Sequence, residues 1–328
     1  MKYAYTLVLI ASIFSATALP AISQAFGEIV KPKTYKAANI VADPGLTDLL
    51  TVTMESLLSI YAAKNLKREE IAATIIDVSD PKRFTTASFN GDTQLYTASV
   101  VKMFYMAALE RQLEDGKLKT SVELERGLKD MIVDSSNDAT GYILDVITQT
   151  SSGAEMPEKQ FEAWQYKRNR VNRYFASMGY TNINVNQKTF CEDAYGIEQQ
   201  SRKYKGANRN MLTTNATARL MAEIVTGNIA PKMQTDKMMS LMKRDPFAKD
   251  PAGQAVEFIG KALMDENIRD AKLWAKAGWT SKSRHDAAYI ELADGAKFVL
   301  VIFTENHAQE KDIIAGIAKT IITAMRKK

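Results

Sequence analysis

The chain has 328 residues, 46% hydrophobic and 25% charged, with a net charge of +5. This is globular composition and excludes a disordered, collagenous or membrane-dominated chain, while the length allows one large domain or two interleaved lobes. Lys and Arg are scattered among Asp and Glu with no basic stripe between aromatics, which argues against a nucleic-acid partner; the mild positive field favours anionic substrates or an anionic cell envelope.

Lys2 and the apolar run from Tyr5 to about Ala18, broken by Pro20 and followed by Ser23-Gln24-Ala25, read as a secretory signal over 1–25, cut after Ala25. The run is short for a bilayer span, which needs roughly 20 residues. A secreted or periplasmic protein, with no stable membrane insertion after cleavage, is the expectation. Residues 26–45 read as an irregular arm ending at Pro44-Gly45. A helix is predicted over 46–65, from Leu49, Leu50, Val52, Met54, Leu57, Leu58 and Tyr61. Two strands follow, Ile71–Val78 and Arg83–Phe89, with a turn at Asp80-Pro81. A helix runs from Ser99 to Asp115 and closes at Gly116. Further helices are predicted at 121–132, 138–149, 158–178, 213–226 and 234–243, with a long loop over 181–212. Strands Trp274–Trp279, Ala287–Leu292 and Lys297–Phe303 precede a last helix, Glu310–Met325. This order implies an α+β fold. An antiparallel sheet of about five strands, flanked by helices, is assembled from both chain ends (about 46–98 and 265–328). An all-helical lobe (about 99–264) completes a single catalytic domain over 46–328. The cleft between the lobes is the natural substrate site.

The only histidines are His285 and His307, too few for a Ser-His-Asp triad with alternatives or for a His-rich metal site, so no metal and no cofactor are expected. Cys191 is the single cysteine, which precludes an internal disulfide; it reads as a plain buried or half-buried thiol, with a reactive role as the alternative that has little local support.

Three short patterns carry chemistry. In Ser99-Val100-Val101-Lys102 the Ser and Lys share a helix face, and Ser99 sits at the helix start, where free N–H groups favour an oxyanion. Lys102 is the one charge in an apolar run, Val100–Leu109, and desolvation lowers the pKa of a buried amine toward that of a base. The alternative is a Ser cap followed by a lysine that snorkels out. Ser135-Ser136-Asn137 precedes a helix, where its residues either cap the helix or, for Ser135 and Asn137, relay a proton and bind a substrate amide. In Lys276-Ala277-Gly278 a strand places Lys276 and Gly278 on one face, with glycine permitting close approach; the alternative is an edge-strand lysine that blocks aggregation.

Their order, Ser-x-x-Lys, Ser-x-Asn, Lys-x-Gly, resembles the signature of the serine β-lactamase and penicillin-binding superfamily, and class A-like hydrolases within it, over roughly residues 46–326. Met131–Thr140 and Lys276-Ala277-Gly278-Trp279-Thr280 with Arg284–Ala288 are similar to that family's second and third motif regions. The resemblance implies a Ser99 acyl-enzyme, with Lys102 and Ser135 handling the proton. It further implies an oxyanion hole from the N–H groups of Ser99 and Trp279, substrate binding by Asn137 and Gly278, and Lys276 on a substrate carboxylate, joined there by Arg284 unless Arg284 forms an ordinary surface or inter-lobe ion pair. The implied partner is a small-molecule β-lactam or a cell-wall peptide, and the implied state a monomer. The implied activity is that of a β-lactamase. The alternatives are a D-alanyl-D-alanine peptidase-like cell-wall hydrolase or an impaired binding protein of the same fold. The chain departs from the pattern at Ser136, where Asp is usual, and at Ala277, where Thr or Ser is usual. It also lacks a Glu-x-x-Leu-Asn stretch in 138–212, leaving Glu192, Asp193 and Glu198 as candidates for activating water, against the plainer reading of solvated loop charges.

Overall fold

The structure is a computed structural model and describes residues 27–326; the signal expected over 1–25 lies outside them. Nine strands occur among the described residues: β1 Ile40–Ala42, β2 Ile71–Asp77, β3 Phe84–Phe89, β4 Leu95–Tyr96, β5 Met211–Leu212, β6 Lys243–Arg244, β7 Lys272–Trp279, β8 Arg284–Glu291 and β9 Lys297–Thr304. The main sheet has seven strands in the order β1-β3-β2-β9-β8-β7-β6, antiparallel except for the β1–β3 pair; β4 and β5 form a separate ribbon. The long strands β3, β2, β9, β8 and β7 are those anticipated. The sheet exceeds five because two short edges join it from segments without strand periodicity, the N-terminal arm and the end of the helix Lys232–Met242.

Strand alternation divides the core between the sheet's two faces. On one face Ile71, Ala73, Ile75, Ala275, Ala277, Ala288, Ile290, Leu300 and Ile302 meet the first helix, Pro44–Ile60, the helix Ile259–Asp265 and the last helix, Asp312–Met325. On the other face Ala72, Ile76, Ala287, Tyr289, Val299, Val301 and Phe303 meet the helical lobe, at whose centre lies the helix Lys102–Glu114. That helix is buried on all sides from Lys102 to Gln112, so any charge on it is desolvated unless it finds a partner.

The first helix starts earlier than its apolar pattern, because Asp43 caps Leu46 N and Pro44 suits the first turn. The segment 158–178 forms two helices, Glu158–Arg168 and Arg170–Ser177, broken at Asn169. The expected loop 181–212 is largely irregular but contains the helix Gly196–Arg202 and β5. Amides pin it in place: Asn210 Oδ1 accepts from the backbone N–H of Asn186 and Gln187, and Asn172 Oδ1 from that of Val185. No helix among the described residues is long and apolar enough to cross a membrane.

Candidate active site

Ser99 lies in a 3-10 turn, Ala98–Val101, that leads into the central helix, and it is half-buried. The turn is entered through Ala98 at φ +44°, a left-handed conformation that a non-glycine residue holds only when its surroundings enforce it. β7 provides the enforcement from one side. A Cβ on Gly278 would stand 2.7 Å from Ser99 N, 2.8 Å from Thr97 O and 2.9 Å from Val100 N, so only glycine lets the strand lie this close to the serine turn. His285, cross-strand from Gly278, supports the same turn. Its Nδ1 accepts from Thr304 N (3.2 Å), so its Nε2–H donates to Tyr96 O (2.8 Å). Burial pulls its pKa down to about 4, and with both nitrogens occupied it is a neutral prop rather than a base.

Lys102 is fully buried. Its Nζ donates to Ser135 O (2.5 Å), Asn137 Oδ1 (2.9 Å) and, more weakly, Ser135 Oγ (3.3 Å). None of these bonds runs to Ser99 Oγ. The amine is instead held against the second motif, one helical turn from the serine. Burial pulls its pKa down to about 7, against the opposing charge effect of Cys191. The snorkelling alternative is excluded by this burial.

Ser135 is at φ +59°, a second non-glycine residue in the left-handed region. Two side chains, one from β6 and one from the segment after it, hold its loop: Arg244 Nη2 donates to Ile132 O (3.0 Å) and Gln254 Nε2 to Val133 O (2.9 Å). Ser136, in contrast, is a capping residue; its hydroxyl accepts from Ala139 N at the start of the helix Asn137–Thr148. The capping reading therefore holds for Ser136, while Ser135 and Asn137 are turned toward the Lys102 amine.

Lys276 is also fully buried, on the β7 face that carries Gly278. Its Nζ donates to Ser135 Oγ (3.0 Å), Gln254 Oε1 (2.9 Å) and Ala277 O (2.8 Å). Burial, then the charges of Lys102 and Arg244, pull its pKa well down; Asp286 opposes them. Asp286 lies on the opposite face of the sheet, where Ile259 N donates to its Oδ2 and burial pushes its pKa up to about 6. The two lysines thus converge on one hydroxyl, Ser135 Oγ, beside the Ser99 turn, with more positive than negative charge around them. Such a site can shuttle a proton and attract an anionic group.

Ser99, Lys102, Ser135, Asn137, Lys276 and Gly278 come together. Arg284 does not join them. It pairs cross-strand with Trp279, and both side chains point to the far face of the sheet. Arg284 stacks 4.2 Å above the Phe258 ring and donates to Glu257 O and Oε2 (2.9 and 3.1 Å), and the half-exposed Trp279 ring also meets Phe258. The reason is period-two register: residue 284 differs in parity from 285 and 287, whose side chains share the Lys276 face. Only the backbone of Trp279 remains available to the site.

Two of the three loop carboxylates are held in other ion pairs. Glu198 is buried between Arg168 (2.7 Å) and Lys188 (3.3 Å). Burial alone would raise its pKa, but the Arg168 bonds and the Arg168 and Lys188 charges hold it below the usual range. Asp193 pairs with Arg202 (2.5 Å) and Glu192 is exposed. Cys191 corrects its expectation: it is exposed, and Asn137 Nδ2 donates to its Sγ at 3.2 Å. Sequence reasoning missed Gln254, Arg244 and Thr189, whose Oγ1 donates to Asn137 Oδ1 (2.9 Å). None of the three sits in a recognisable pattern.

The profile of the beta-lactamase enzyme family matches residues 118–325, well over half of the chain. The chain belongs to the beta-lactamase enzyme family. The matched span includes Ser135, Asn137, Lys276 and Gly278; Ser99 and Lys102 precede it. Among solved structures, the β-lactamase from Sphaerobacter thermophilus DSM 20745 superposes with TM-score 0.62 at 17% identity, over 84% of this chain and 98% of that one. A β-lactamase from Chitinophaga pinensis DSM 2588 gives 0.58 at 18%, over 83% and 99%. A variant of PBP-A, solved as its acyl-enzyme complex with penicillin G, gives 0.59 at 16%, over 85% and 98%. At these identities the likeness is one of fold. No curated protein matches the sequence significantly.

Proposed function

We propose that this member of the beta-lactamase enzyme family is an exported serine hydrolase that opens β-lactams, or a related amide or ester, through an acyl-enzyme on Ser99. The observation that carries the reading is the convergence of Lys102 and Lys276, both fully buried, on Ser135 Oγ (3.3 and 3.0 Å) beside the serine turn. A lysine whose pKa falls to about 7 is half neutral at physiological pH, which suits a general base. In this scheme Ser99 Oγ attacks the carbonyl carbon and its proton passes to the Lys102 amine. The C–N bond of the substrate then breaks, and the leaving nitrogen takes a proton relayed through Ser135. The N–H groups of Ser99 and Trp279 stabilise the oxyanion, and Asn137 holds the substrate amide. Lys276 donates hydrogen bonds to a substrate carboxylate, without help from Arg284. The signal over 1–25 assigns the enzyme to the periplasm or the exterior.

The test combines fluorescent penicillin labelling, mass spectrometry to locate the adduct, and nitrocefin turnover. An adduct on Ser99, absent in Ser99→Ala and Lys102→Ala, is expected. Steady nitrocefin hydrolysis identifies a β-lactamase, and a persistent adduct identifies a cell-wall peptidase-like enzyme. No adduct with several β-lactams refutes the hydrolase.

A further inference from the structure

An open cavity of about 530 Å³ lies between the helices Glu158–Arg168 and Arg170–Ser177 and the loop 181–212. None of Ser99, Lys102, Ser135, Asn137, Lys276 and Gly278 borders it. Its polar wall is made of amides: Gln165, Asn169, Asn172, Asn184, Asn186 and Asn208. Two backbone groups fix how these amides are turned. Val185 N–H donates to Asn172 Oδ1 (2.7 Å), so Asn172 Nδ2 is the donor to Asn169 Oδ1 (2.6 Å) and Asn184 Oδ1 (2.7 Å). Arg209 O accepts from Asn184 Nδ2 (2.6 Å), which also donates to Asn208 Oδ1 (2.7 Å). Asn169 Oδ1 takes a second bond from Asn186 Nδ2 (3.0 Å), and Asn169 Nδ2 is left with no acceptor among the described residues. Gln165 is fixed in a similar way. Gln187 Nε2 donates to Ser201 Oγ (2.9 Å), so the Ser201 hydroxyl gives its hydrogen to Gln165 Oε1 (2.6 Å). Gln165 Nε2 then has no acceptor among the described residues, although Gln165 is only 3% exposed.

A donor on a buried side chain is stable only when something accepts from it. Two such donors therefore face this cavity ready for a ligand's oxygens. The surroundings carry little net charge: the Arg173 guanidinium is bonded to Glu28 (2.8 Å), and Glu162 and Lys205 at the rim are exposed and opposite in sign. An anion thus finds no excess of positive charge here. Tyr166 borders the same cavity. Arg173 lies 3.8 Å over one face of its ring, and the residue is still 60% exposed, so the rest of the ring is open. Directed donors beside an aromatic face suit a molecule with oxygen acceptors along its edge and an apolar C–H face, and a sugar ring has both. We infer that this cavity is a saccharide-binding subsite, separate from the Ser99 site. Hydroxyl or N-acetyl oxygens of an uncharged sugar accept from Gln165 Nε2 and Asn169 Nδ2, and the C–H face of a ring lies on Tyr166. Binding of this kind needs no chemistry at Ser99.

Saturation-transfer NMR and isothermal titration on the full-length protein test this with N,N′,N″-triacetylchitotriose, cellotriose and the uncharged peptide N-acetyl-trialanine amide. At least one sugar is expected to bind, and the peptide is not. Asn169→Asp keeps the oxygen that Asn172 and Asn186 use but turns the free donor into an acceptor, and is expected to weaken sugar binding at least about tenfold. Tyr166→Ala removes an exposed ring and is expected to weaken it about fivefold or more, while Tyr166→Phe, which keeps the ring, stays within about twofold of the unmodified protein. A urea midpoint is measured for each variant, and where Asn169→Asp is destabilised the Tyr166 pair decides. Absence of saturation transfer to both sugars at about 10 mM, a concentration that would reveal even millimolar affinity, overturns the inference. Sugar binding untouched by both Asn169→Asp and Tyr166→Ala overturns it as well, and so does binding of the peptide in preference to the sugars.

Discussion

Two buried polar clusters lie within the helical lobe and its border with the sheet, and they are built on opposite principles. Behind the loop, Arg168 and Lys188 face Asp145 and Glu198, two cations against two anions. Arg168 is bonded to Glu198 (2.7 Å) and Asp145 (2.9 Å), and Lys188 to Asp145 (2.5 Å). Beside Ser99, Lys102, Lys276 and Arg244 have a single buried anion within electrostatic reach, Asp286 on the other side of the sheet. The first cluster keeps its charges because each is paired. The second cannot keep all of its own, and burial drives its lysines toward the neutral form. Matched charges anchor the loop; unmatched charges make amines able to accept protons. The difference between the loop anchor and the proposed reactive site is thus one of charge balance rather than depth.

This contrast can be broken at either end. The largest effect belongs to Ser99→Ala, expected to lower β-lactam acylation by at least about 10⁴-fold with an unchanged circular dichroism spectrum; undiminished labelling would discard the site. On the matched side, Glu198→Ala leaves Arg168 uncompensated and is expected to cost about 3–5 kcal/mol in urea unfolding. A loss below about 1 kcal/mol would show that the cluster is not a matched anchor. Because the Glu198 carboxyl is held low, its contribution is present at neutral pH, above the unfolded value, and disappears as pH falls through the folded one.

On the unmatched side, Lys102 must be neutral to accept the Ser99 proton. Its pKa near 7 means that acylation climbs about tenfold per pH unit below 7 and levels off above it. Stopped-flow labelling from pH 5.5 to 8.5 measures this, and a flat profile contradicts the desolvated-amine account. Gln254→Leu removes the acceptor for Lys276 Nζ and the donor to Val133 O. At roughly 1–2 kcal/mol for such bonds, acylation should fall about tenfold, with a larger change in kcat than in KM if the Ser135 loop is what shifts. The smallest effect is expected from Arg284→Ala, within about 3-fold in labelling rate, since its guanidinium lies beyond the sheet with Glu257 and Phe258. A loss above about 30-fold would return Arg284 to the carboxylate site.

The amino-acid sequence determined, by itself, whatever depends on local periodicity and residue type. The long strands and most helices are legible because a buried face repeats every two or 3.6 residues. The three motifs are legible because serine, lysine and glycine recur there at spacings that chemistry constrains. Local pattern also dictated that Lys102 is buried, since it is the one charge in an apolar run. Only the tertiary structure decided which far segments meet. The edge strands β1 and β6 have no periodicity of their own and exist through their partners. Arg284 stayed open between a carboxylate site and an ordinary ion pair because one residue of register moves a side chain across the sheet, and register is a property of two strands together. Gln254 and Cys191 reach the site from segments 22 and 54 residues from their partners Lys276 and Asn137, across stretches that carry no sequence pattern. Contacts over such separations are set by how the whole chain packs, and a linear reading has no physical quantity from which to obtain them.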